Sequence, residues 1–92
     1  MKEFKGTKGE WKAEKPKGSN GYWFVNNESN NSGAIATCYN VSGLETDLET
    51  EANAKLIASA PELLEALQYF LDHGENRNSI KKAKKAIEKA LN

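Results

Sequence analysis

The sequence predicts an α+β fold: a small antiparallel three- to four-stranded meander followed by a C-terminal helical hairpin packed on one face. Three observations lead there. Residues 11–41 hold short alternating or aromatic runs separated by turn residues. Residues 51–71, EANAKLIASAPELLEALQYFL, carry the longest helical apolar face in the chain. Residues 80–91 repeat the helical spacing, with lysines filling the other positions. Because the strands all precede the helices, they pair as hairpins rather than as the parallel sheet of an alternating chain.

Residues 1–10, MKEFKGTKGE, are polar with glycines at 6 and 9, and read as an extended arm that could add a fourth pairing. Trp11 and Ala13 alternate with Lys12 and Glu14, the pattern of a short half-buried strand. KPKGSNG at 15–21 is dense in turn formers, and Asn20-Gly21 is the strongest tight-hairpin pair present. Tyr22-Trp23-Phe24-Val25 is the most β-prone tetrapeptide and is apolar on both parities. The run NNESNNSG at 26–33 has no apolar member and suits a hairpin tip, either a binding loop or a plain connection. The next strand, 34–41, puts Ile35, Thr37, Tyr39 and Val41 on one face. Ala34, Ala36 and Cys38 fall on the other, where small side chains let a helix approach closely.

Thr50 or Asp47 can cap the first helix. Pro61 then interrupts the periodicity, because proline lacks an amide hydrogen and disfavours a helical conformation in the residue before it. The arrangement that misses no donor is a kinked pair, 50–59 and 61–73, with Ser59 or Ala60 at the cap and Pro61 in the first turn. Leu63, Leu64, Leu67, Phe70 and Leu71 share a face, and removing Leu67 from its centre is expected to cost on the order of 2–5 kcal/mol. Gly74 supplies a stop. Asn78 or Ser79 caps a last helix, 79–91, whose apolar face is Ile80, Ala83, Ile87, Ala90 and Leu91.

The totals bound the reading. Ninety-two residues with 38% hydrophobic content make one domain over 1–92, comprising an arm (1–10), meander (11–41), helix pair (50–73) and last helix (79–91). Thirteen basic residues balance thirteen acidic ones, so net charge indicates no class of partner, although the ends are positive and the segment 44–65 is acidic. One cysteine, Cys38, excludes an intrachain disulfide and a cysteine-based metal site. No apolar run reaches the ~18–20 residues of a membrane span. The sequence reads as cytosolic.

No catalytic residue, metal ligand or cofactor motif stands out, and the expectation is a protein that binds rather than catalyses. The single histidine, His73, sits at a helix end without a second histidine or cysteine to share a metal. Lysines of the last helix could meet phosphates, but residues 79–91 carry no Arg, Asn or Gln to read base edges, which disfavours nucleic acid. Helices cover only one face of such a sheet, so an aromatic patch is left over. Its simplest cover is a second copy, as a dimer or higher homo-oligomer. The sharper alternative is a planar ligand stacked on Trp11, Trp23 or Tyr39. Asn53, inside a helix against its propensity, either bonds the backbone of the sheet or a loop, or reaches that ligand.

The run from Glu51 to Leu67, with Ala-Asn-Ala at 52–54, Leu-Ile-Ala at 56–58 and Ala-Pro-Glu-Leu-Leu-Glu-Ala-Leu at 60–67, resembles a group of small tailed-phage and prophage proteins of unassigned function. Gly9-Glu10-Trp11 and Ile35-Ala36 match elements those proteins also carry. The resemblance covers about half the chain and transfers no catalytic residue. It implies an accessory phage product acting in the host bacterial cytoplasm. The reading that joins this origin to the spare aromatic surface is a counter-defence protein, an oligomeric sponge for a nucleotide-like immune signal. An inhibitor of a host defence protein and a DNA-associated regulator are the alternatives.

Overall fold

A computed structural model describes residues 4–16, 22–27, 30–39 and 48–92, and the side chains of all these except 30–33. Three strands form an antiparallel sheet in the order β1 (Trp11–Glu14), β2 (Tyr22–Asn27) and β3 (Asn30–Tyr39). Three helices follow: α1 (Leu48–Ala58), α2 (Ala60–His73) and α3 (Arg77–Leu91). The Asn20-Gly21 turn, Val41 and the Asp47 cap lie outside the described residues.

Pairing of Ala13 with Val25, Trp23 with Cys38 and Val25 with Ala36 sets these side chains, together with Trp11, on one face. That face takes α1. Val25, Cys38, Ala54 and Ala58 are buried at the contact, with Trp11, Ala13, Trp23, Ala36 and Ile57 packed around them. Small residues on both sides of the contact bring the helix axis close to the strands. The alternation foreseen for 34–41 holds from Ala36 to Tyr39 and fails before it. The register shifts between Val25 and Asn26, so that Ala34 pairs with Asn26 and Ile35 is passed over. Such an irregularity reverses parity, and Ala34 is exposed rather than inward. The strands also run further into the polar stretch 26–33 than its composition predicts.

The kink at Pro61 is narrow. Ser59 alone separates α1 from α2, and its backbone stays helical at φ −89°, ψ −2°. The Ser59 amide donates to Lys55 and Leu56, its hydroxyl donates to the Lys55 carbonyl at 2.8 Å, and its own carbonyl accepts from Leu63 at 2.9 Å. The side chain therefore closes α1 instead of capping α2. Thr50 lies within the first turn of α1, fully buried, and its Oγ1 has no partner among the described residues. Gly74 stops α2 at φ 73°, donating its amide to Phe70 at 2.7 Å. The last helix starts earlier than 79. Asn76 is its cap, and Ser79 closes a reciprocal capping box, the amide of each donating to the side chain of the other at 2.8–2.9 Å.

Helices α2 and α3 run antiparallel, with Lys82 reaching Glu65 and Lys89 reaching Glu62. The hairpin does not lie on the sheet as a unit. Of the three helices, α1 contacts all three strands, and α3 packs on α1 and α2. The helical residues that are buried are all small: Thr50, Ala54, Ala58, Ser59, Ala66, Ser79, Ala86 and Ala90. No leucine or isoleucine among the described residues is buried. Leu67, expected at the centre of a core stripe, is 66% exposed, so the 2–5 kcal/mol expected for its removal does not apply to a single copy.

Two substitutions check this packing. Ala54→Leu adds volume where Val25 and Cys38 leave none, and is expected to destabilise by about 1–3 kcal/mol, read as a lower urea midpoint. Thr50→Val removes an unpaired buried hydroxyl at constant shape, and is expected to raise stability by about 1 kcal/mol in the same assay.

Candidate functional site

The four residues expected to bind a ligand do not converge. Trp23 faces α1 in the core, and its Nε1 is buried with no partner among the described residues. Tyr39 lies on the opposite face of the sheet, 68% exposed, with its ring 6.1 Å from that of Tyr22 and tilted by 42°. By register Phe24 and Thr37 share this outer face, so the leftover aromatic patch exists, but it is built from Tyr22, Phe24 and Tyr39 without either tryptophan. Asn53 is exposed on α1 and lines a separate groove with Ala52, Leu56 and Leu91.

Trp11 lies in the setting richest in ligand-binding chemistry. It starts the edge strand β1, and its indole is fixed from the arm, Nε1 donating to the Thr7 carbonyl at 3.1 Å while Phe4 packs 6.4 Å from the ring. Asn27, opposite Trp11 in register, holds the arm further by donating to the Lys8 carbonyl. Beside Trp11 opens a groove of about 440 Å³ between β1, the end of α1 and the end of α3, lined by Lys12, Ala13, Lys55, Lys89 and Asn92. Helical spacing delivers the two distant lysines: Lys55 is one turn before Ser59 on α1, and Lys89 is one residue before the buried Ala90.

Both ammonium groups are engaged. Lys89 Nζ donates to the Trp11 carbonyl at 3.1 Å and to Glu62 at 2.6 and 3.1 Å, with Glu10 at 4.0 Å. Lys55 pairs with Glu51 at 2.8 Å and donates to the Asn92 backbone oxygen at 2.7 Å. The Lys55–Glu51 and Lys89–Glu62 side chains are 30–34% exposed, so water screens each pair in part and its ions can exchange partners. A neighbouring hollow of about 450 Å³ between the arm and α2, lined by Phe4, Lys8, Pro61, Glu62, Leu64 and Gln68, widens the same region. Sequence reasoning found the tryptophan but not the lysines, because the contact between β1, α1 and α3 is tertiary. The surplus of lysine near both chain ends was the available signal for Lys12 and Lys89, whereas Lys55 is the one lysine of the acidic segment 44–65.

Other groups are accounted for locally. His73 stacks on Tyr69 at 4.0 Å, with Nδ1 3.1 Å from the Tyr69 carbonyl. Among the described residues no group of three His, Cys, Asp or Glu side chains could hold a metal ion, and no helix is long and apolar enough to cross a membrane. Starting at Arg77, α3 brings Arg77 and Asn78 into its first turn, residue types that a helix over 79–91 lacks. Burial behind α1 raises the Cys38 thiol above its ordinary pKa. Cys38 is therefore expected to react with a thiol reagent many times more slowly in the folded protein than in urea, as absorbance kinetics at pH 8 would record.

The whole chain, residues 1–92, matches the family described as Salmonella phage P22 protein Y8K6. No curated protein and no solved structure matches. The description names a phage and no activity, in agreement with the origin implied by the helix motif. The chain belongs to the family of Salmonella phage P22 protein Y8K6.

Proposed function

We propose that this phage protein acts in the host cytoplasm as a counter-defence binder, an oligomer that sequesters a nucleotide-like signal without cleaving it. The observation that carries this reading is the Trp11 groove. An indole supplies a stacking surface for a base, and Lys12, Lys55 and Lys89 supply ammonium groups for phosphate within one opening of about 440 Å³. That volume lies within the ~300–1,000 Å³ typical of small-molecule sites. A phosphate entering the groove would replace Glu62 on Lys89 and Glu51 on Lys55, so binding exchanges one ion pair for another. Trp23, Tyr39 and Asn53 have no part in this site. Inhibition of a host defence enzyme is a second reading, favoured by the exposed sheet face of Tyr22 and Tyr39.

Native mass spectrometry with a panel of cyclic nucleotides and ADP-ribose derivatives tests the proposal. The expected result is an added mass equal to one unaltered compound per site. Trp11→Ala and Lys12→Glu should each weaken uptake at least tenfold while the circular dichroism spectrum is kept. Absence of any adduct across the panel, or release of a cleaved product, overturns it.

A further inference from the structure

Among the described residues no leucine or isoleucine is buried, and most leucines of the helices are exposed. Around α2, the buried Ala66 faces α3, while Leu63, Leu67 and Phe70 follow one another up the side of the helix away from Glu62 and Glu65. Around α3, Ser79, Ala86 and Ala90 are buried, and Ile80, Ile87 and Leu91 form a row about a quarter-turn away. Lys82 and Lys89 occupy the other side of that helix, where they meet Glu65 and Glu62. The antiparallel hairpin thus has one charged flank and one apolar flank. On the apolar flank and its margin Leu67 is 66%, Ile87 51%, Leu91 79% and Leu71 85% exposed.

We infer that this flank is an interface between two copies of the chain, each covering the other's α2–α3 hairpin to make a four-helix bundle. Two arguments select a second copy. The first is area. The exposed parts of Leu67, Phe70, Ile80, Ile87 and Leu91, with Leu71, amount to on the order of 700 Å² of apolar surface, at the ~150–250 Å² of a large side chain. That exceeds the ~300–600 Å² of the largest patch on a typical monomer and approaches the ~800 Å² that each partner gives to a standard interface.

The second is charge. Helix α2 carries Glu62, Glu65 and Asp72 with no lysine or arginine, whereas α3 carries Arg77 and five lysines against the single Glu88. A twofold axis parallel to the hairpin lays α2 of one copy over α3 of the other, with every neighbouring pair of helices antiparallel. Glu62 and Glu65 are already paired with Lys89 and Lys82 inside the hairpin, so what this arrangement gains is to keep the two lysine-rich α3 helices apart. An axis across the hairpin would instead lay α3 on α3, bringing two lysine-rich rows together. The sheet face of Tyr22 and Tyr39 is left free by this mode of assembly. The inference names the surface that would make the proposed sponge an oligomer, and it stands independently of whether the Trp11 groove takes a ligand.

Light scattering coupled to size exclusion, run from low to high micromolar protein, tests it. The expected mass is about twice the 10.2 kDa of one chain. Leu67→Asp and Ile87→Asp, substitutions at sites already open in a single copy, should each raise the dissociation constant at least tenfold with an unchanged circular dichroism spectrum. Lys81→Glu combined with Lys84→Glu should leave the dimer no tighter, since α3 does not face the partner's α3 in this arrangement. A dimer tightened by that pair of changes would mean α3 on α3 and overturn the arrangement. A 10.2 kDa mass at every concentration, or a dimer lost on Tyr39→Ala but not on Leu67→Asp, overturns the interface itself. Capture of a different protein on the flank of a monomer does the same. Ligand uptake is read separately, so a monomer that binds a nucleotide fails this inference alone, and a dimer that binds none fails only the ligand reading.

Discussion

The seating of α1 on the sheet is the contact from which the rest of this structure follows. Ala54 and Ala58 meet Val25 and Cys38 with no exposed surface left at Val25 or Ala54, and a helix can approach that closely only because neither side offers a bulky group at the contact points. Trp11, Trp23 and Ile57 close the periphery. Once α1 is fixed, the narrow kink at Ser59 fixes where α2 departs, and α3 returns along both. The molecule therefore hangs two helices from one, and none of their leucines or isoleucines is buried against the sheet.

That hierarchy explains an unusual distribution of side chains. A core of valine, cysteine and alanines gains much less from burial per residue than one of leucines, at about 25 cal/mol for each Å² of apolar surface removed from water. The local devices compensate in part. The Asn76–Ser79 box, the Gly74 stop and the Ser59 hydroxyl satisfy the groups that helix ends would otherwise leave without partners. Two costs remain at the main contact, the unpartnered Trp23 Nε1 and Thr50 Oγ1.

Much of the architecture was legible in the sequence. Period-two patterning marked β1 and β3, β-prone aromatics marked β2, the small residues Ala36 and Cys38 offered a face that a helix could approach, and Pro61 with Gly74 marked the helix boundaries. Three features were not legible, each for a physical reason. The register shift at Val25 and Asn26 inverts the parity of Ala34, and polar hairpin residues give no periodic signal to reveal it. An apolar helical stripe states that a face avoids water without stating what covers it, so Leu63 to Leu71 read as core when α1 in fact holds the sheet. The groove at Trp11 draws lysines from positions 12, 55 and 89, a juxtaposition that only the packed chain creates. Of the four expected ligand residues, Trp11 alone lies in that groove.

The hydrogen bond from Lys89 to the Trp11 carbonyl has a consequence for solubility. β1 is an outer strand of the sheet, and outer strands present unpaired backbone groups that template addition of another chain. An ammonium group seated on that carbonyl, with Glu10 and Glu62 beside it, caps the rim with charge. An approaching strand would have to displace it and strip water from three ionised groups. The same lysine that joins strand to helix thereby acts as a gatekeeper against edge-to-edge polymerisation, in a chain whose abundant exposed leucines would otherwise favour aggregation.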